Sequence, residues 1–120
     1  MDLTKEQKEI FSKIADINQV ILKNHFDIRD LTEQLISTLP FEEGDIVLNQ
    51  SNEHLLVRKI KPYDNGNWLH GHRYYGKIEV ILNKINKDGQ PSERDMWAWI
   101  TDENIKDIKL PSKKGEIVRL

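Results

Sequence analysis

The sequence contains no cysteine, which excludes a disulfide framework, a thiol nucleophile and a thiolate metal site. No apolar run approaches the roughly 18 residues needed to cross a bilayer. The opening Met1-Asp2-Leu3-Thr4-Lys5 lacks a signal-peptide core, so a cytoplasmic protein without a membrane contact is expected. An excess of one charge is missing too, because 18 Lys and Arg against 20 Asp and Glu leave a net charge of -2. A long nucleic acid would find no continuous basic track, and any basic site has to be local. There is no Gly-rich phosphate loop, no Ser-centred elbow and no metal frame, so neither enzymatic activity nor a cofactor is expected.

Glycine and proline are absent between Thr4 and Leu39, and what stands there instead is a helical stripe. Ile10, Ile14, Ile17, Ile21, Ile28, Leu31 and Leu35 follow one another in steps of four, three, four, seven, three and four. That mean spacing of about 3.5 residues draws one line along a helix. Phe11, Val20, Leu22, Phe26, Ile36 and Leu39 widen it. Thr4 and Gln7 form a capping-box pattern at its start, and Pro40 ends it. Asn24 falls on the stripe where an apolar residue is expected. Either the helix is continuous with a polar register-setting residue, or it breaks there and Asp27 caps a second helix. The stripe resumes in phase at Ile28, which favours continuity.

After Glu43-Gly44-Asp45 the period changes to two. Short strands are expected over 45–49 and 53–60, a long one over 72–85, another over 96–100, and short pieces at 105–110 and 116–120. Asn65-Gly66 and Lys87-Asp88-Gly89 supply hairpin turns. The expected class is α+β: a long N-terminal amphipathic helix, then a small antiparallel sheet or SH3-like barrel. At 120 residues, 38% hydrophobic and 32% charged, the chain has room for a single domain and is too apolar to be disordered. Residues 1–40 form its oligomerising helix, 41–110 its β region and 111–120 a linker with a last strand.

Size adds a constraint. A helix of about 36 residues is roughly 54 Å long, while a compact domain of this length is about 28 Å across. One small sheet cannot cover such a stripe, so the expected partner is the chain itself, in an intertwined dimer or a higher even oligomer.

Three groups of residues have chemistry to offer. His70-Gly71-His72 is half of a zinc-like pattern without the other half, and no metal is expected. Asp95, Asp102 and Glu103 are carboxylates near Trp97 and Trp99, but nothing completes an acid–base site and turn charges explain them. The third group mixes aromatic rings with cations. Trp97-Ala98-Trp99 sets both indoles on one strand face, opposite Met96, Ala98 and Ile100. Arg58, Arg73, Tyr75 and Arg94 lie on neighbouring strands or turns. Rings stack on bases and guanidinium groups grip phosphates, so Arg58, Arg73, Tyr75, Arg94, Trp97 and Trp99 are the candidate ligand-binding residues. The competing reading buries Trp97 and Trp99 under the helix as core.

In its order, a long amphipathic helix followed by short-turned strands bearing aromatics and arginines, the chain resembles the phage Thoeris anti-defence sponges. The resemblance lies in layout across most of the chain, with no motif aligned position by position. It implies a helix-plus-sheet antiparallel dimer that holds a cyclic nucleotide immune signal of the cyclic ADP-ribose type without cleaving it, in the cytoplasm of an infected host. The alternative is a protein–protein interaction module, an SH3-like sheet on a coiled-coil dimer that binds a host protein. A pocket where cations and aromatics converge would favour the first; an exposed apolar patch without such a pocket would favour the second.

Overall fold

A computed structural model describes residues 3–66, 74–110 and 117–120. Helix α1 (Lys5–Ile36) is continuous for 32 residues, so Asn24 does not break it. Its start is the expected capping box: the Gln7 backbone N–H donates to Thr4 Oγ1 at 3.1 Å, and the Thr4 N–H donates to Gln7 Oε1 at 2.9 Å. Such reciprocal bonds satisfy helix donors that otherwise have no partner.

Four strands follow: β1 (Ile46–Leu48), β2 (His54–Asp64), β3 (Tyr74–Ile85) and β4 (Pro91–Ile100). They lie in the order β1-β2-β3-β4, each antiparallel to its neighbour. The fold is therefore α+β with a meander sheet. Among the described residues β1 and β4 do not pair, so the sheet is open and the closure of an SH3-like barrel is not seen. The tail covers one edge instead. The Leu48 N–H donates to the Val118 carbonyl and the Leu120 N–H to the Leu48 carbonyl, which seals β1. A turn of 3-10 helix (Ile105–Asp107) occupies the segment expected to be a short strand. The β3–β4 hairpin turns at Gly89, whose φ of +84° suits a residue without a side chain.

Strand alternation divides the sheet into two faces. Val57, Val80, Ile78, Leu82 and Ile100 are buried together on one, with Leu55, Val47 and Phe41. Ile36 and Leu39 from the end of the helix pack against this cluster, so the helix lies on that face. Only the last turns of α1 reach it. From Leu3 to Asn24 every residue but Gln7 is exposed, and the molecule measures 69 × 29 × 19 Å. The helix overhangs its sheet, as the size argument required.

The β1–β2 turn is held by a small charged network. Asn49 Nδ2 donates to Glu53 Oε1 at 2.9 Å, and Lys84 Nζ on β3 lies 2.6 Å from Glu53 Oε2. Lys84 and Asn49 both favour the charged carboxylate and hold its pKa below the ordinary Glu value. A lowered pKa contributes stability that is complete at neutral pH and is lost as pH falls through the lowered value. Glu53→Gln is therefore expected to lower the melting temperature slightly at pH 7 and to leave it unchanged in strong acid. Thermal melts of both proteins across that range check it; an equal deficit at every pH would assign the loss to packing.

Candidate functional site

Among the described residues the second face of the sheet carries no helix. Register places Lys59 beside Ile81 and Ile81 beside Trp97, then Lys61 beside Glu79 and Glu79 beside Trp99. Tyr63 extends this surface, its ring centre 6.5 Å from that of Trp99 in an edge-on arrangement and 6.3 Å from that of Tyr75. Trp97, Tyr75 and Trp99 remain 53%, 50% and 47% exposed. These rings are not core, and the reading that hides both indoles under α1 is set aside. Ile81 is buried here, between Lys59 and Trp97, and so is Asn83 beside Asp95.

The aromatics stay outside because of strand phase. Ile100 and Ala98 alternate inward, so Trp99 and Trp97 must alternate outward. A bulge in β2 between Val57 and Lys59 breaks the strict alternation and brings Arg58 onto the same face. Arg58 Nη2 lies 2.7 Å from Asp95 Oδ2. The other Asp95 oxygen accepts from Asn83 Nδ2 at 2.9 Å, and that buried amide also donates to the Arg94 carbonyl at 3.2 Å. Arg58, Asp95 and Asn83 thus bridge three strands. Lys61 Nζ stands 3.3 Å from Glu79 Oε2. The arrangement is an aromatic shelf bordered by Lys59 and by two cations, Arg58 and Lys61, that already have carboxylate partners.

Arg58, Tyr75, Trp97 and Trp99 share one face of the sheet: Tyr75 and Trp99 both meet Tyr63, and Arg58 stands with Asp95 on the far side of Trp97. Arg94 lies within the irregularity in the pairing of β4 with β3, where its backbone carbonyl accepts from Asn83 Nδ2. Arg73 lies outside the described residues, as do Trp68 and the His70-Gly71-His72 pair. Among the described residues no three His, Asp or Glu side chains gather in a way that could hold a metal ion. Asp102 and Glu103 are exposed turn residues next to Asn104, which caps the Trp99 carbonyl at 2.8 Å.

Sequence reasoning missed Tyr63 and the role of Asp95. The strand expected over 53–60 stops short of Tyr63, and the Arg58–Asp95 pairing depends on a bulge that has no sequence marker. Clefts lined by described residues lie mainly elsewhere. One of about 640 Å³ sits where the helix turns into the sheet, between Ile36, Leu39, Phe41, Ile60 and Glu42. A small one of about 150 Å³ runs from Trp99 to Ile108 and Leu120. Neither joins the aromatic shelf to its cations. No helix among the described residues is long and apolar enough to cross a membrane. Comparison with protein-family models, curated proteins and solved structures gives no match in any of the three.

Proposed function

We propose that this protein is a non-catalytic, self-assembling interaction module whose aromatic sheet face docks a partner protein. The observation that carries this reading is the half-exposed set Tyr75, Trp97 and Trp99 on a flat, strand-built surface. Exposed tryptophan and tyrosine on a rigid support are the residues that dominate protein interfaces. Two of the cations at the border, Arg58 and Lys61, are engaged with Asp95 and Glu79, so they position the rim more than they await an anion. A sheet supports such a face well because its strands hold the rings in place before binding, which keeps the entropy cost low.

A second reading is retained for one reason. Two indoles and two phenols on one face beside Arg58, Lys59 and Lys61 also form a stacking platform for bases. In that case the protein sequesters a cyclic nucleotide signal, as the anti-defence sponges it resembles do. Stacking contributes roughly 1–3 kcal/mol per base, and nanomolar capture needs about -12 kcal/mol. A single open face falls short of that, so this reading needs a pocket completed by another copy.

One experiment separates the two. The Trp97→Ala, Trp99→Ala double variant is expected to keep its melting temperature within a few degrees, since both rings stand clear of the core. Cross-linking from a photoreactive group at position 75 is expected to capture a discrete protein partner with the wild type, and at least tenfold less with the double variant. Calorimetry against cyclic ADP-ribose isomers and cyclic di- and trinucleotides is expected to give no heat. Heat with one of them, lost in the variant and with the ligand recovered intact, would replace the first reading by the second; a chemically altered ligand would overturn both.

A further inference from the structure

Along α1, Ile10, Ile14, Ile17 and Ile21 continue in strict alternation of four and three through Asn24 and Ile28 to Leu31 and Leu35. The sheet uses a different side of the same helix. The helix residues withdrawn from solvent near it are His25, Phe26, Ile28, Arg29, Thr32 and Ile36. Leu31 and Leu35 are exposed although they lie within the turns that meet the sheet, Leu31 by 63%. The seam is thus open at its core positions from Ile10 to Asn24 and again at Leu31 and Leu35, while the sheet partly covers Ile28 and, on one flank, His25 and Thr32.

We propose that this seam joins three copies of the chain into a parallel, in-register bundle. Three features point to that occupant and that number. First, isoleucine stands at both alternating core positions, at Ile14 and Ile21 and equally at Ile10 and Ile17. A two-chain coil prefers leucine at the second position, while isoleucine at both shifts the preference to larger bundles. Second, the positions flanking the seam are partly apolar. Phe11 and Val20, one on each flank, are each 59% exposed. A two-chain seam leaves such flanks in water, and a three-chain bundle covers more of them. In the N-terminal half the other flanking residues, Glu6, Lys13 and Asn18, are polar, which disfavours a four-chain bundle that would bury the flanks more fully. Third, direction follows from Asn24. In a parallel, in-register bundle Asn24 meets only Asn24, and every apolar layer meets its own kind. An antiparallel pairing that covers the whole seam sets Asn24 against Ile21 and leaves an amide facing an aliphatic chain in two layers.

The consequence reaches the proposed binding face. The helix lies on the core side of the sheet, so the aromatic side of each sheet faces away from the bundle. Three identical shelves are carried at one end of a stalk, and a repetitive partner would be bound by several at once.

The test is mass and thiol chemistry. Light scattering of the wild type is expected to give three times the 14.1 kDa of one chain. The mass of one, two or four chains overturns the proposal. The chain has no cysteine, so Asn24→Cys and, separately, Ile10→Cys each introduce a single thiol. In a parallel layer of three, only two thiols can pair, so oxidation is expected to stop with about two-thirds of the chains in a two-chain band. Two positions are used so that a variant that fails to assemble does not decide the outcome. An assembly of three-chain mass that gives no cross-link at either position overturns the parallel arrangement.

Discussion

Replacing both Ile17 and Ile21 by Asp is expected to yield a monomer whose sheet remains folded. Both side chains lie on the overhanging part of α1, exposed in the single chain and turned away from the cluster formed by Val57, Ile78, Val80 and Ile100. Full burial of an isoleucine stabilises by roughly 1.5–3 kcal/mol, and two per chain are removed. Their replacements would each place a carboxylate in an apolar layer, where an unpaired charge costs several kcal/mol more or forces protonation. No assembly through this seam should survive both effects. The sheet should survive because the helix residues that meet it, from His25 to Ile36, and Leu39 just past the helix lie beyond the seam's N-terminal half. Light scattering together with the near-ultraviolet circular dichroism of the tryptophans reads both outcomes. An unchanged mass would show that the seam is not the assembly surface. A monomer with lost tryptophan signal would show that the sheet depends on the assembly.

The second large effect concerns the core. Ile78→Ala is expected to destabilise the domain by about 2–5 kcal/mol, the usual cost of emptying a buried aliphatic site. Ile78 is fully buried, in register with Pro62 on β2 and Ile100 on β4, at the centre of the face that meets the helix. Against a typical total of about 5–15 kcal/mol this is a large fraction. Denaturant titration followed by tryptophan fluorescence should show a lower midpoint with an unchanged slope. Trp97→Ala, on the opposite face and half exposed, should move the midpoint much less despite removing a larger side chain. A greater loss from Trp97→Ala than from Ile78→Ala would mean that the aromatic face is covered, and that the two sides of the sheet have been assigned the wrong way round.

Local chemistry was readable directly. Thr4 and Gln7 announced the helix start because a capping box needs only two side chains three residues apart. The stripe from Ile10 to Leu35 announced a continuous helix because 3.5-residue spacing and the absence of Gly and Pro are properties of one segment. Gly89 announced a turn for the same local reason. Alternation from Met96 to Ile100 placed Trp97 and Trp99 on one side of a strand, since period two is intrinsic to extended chain.

Which side faced water depended on partners far along the chain, and that only the tertiary structure decided. Trp97 and Trp99 lie outside because Ile78, Val80 and Ile100 make a face that Ile36 and Leu39 can close, and a helix covers one side of a sheet. Arg58 reaches Asp95 only because β2 bulges there, and Asn83, between them on β3, completes the bridge. The expected strand ends at Ile60, yet β2 runs on through Pro62 to Asp64. The structure supplies the reason: β1 spans only Ile46–Leu48 and pairs no further along β2 than Leu56, so the N–H that proline lacks is not needed on that side. Spacing within a segment fixed the elements and their phases. The choice of face, the ion pairs across strands and the open edge came from which segments met, a property no single stretch of the chain contains.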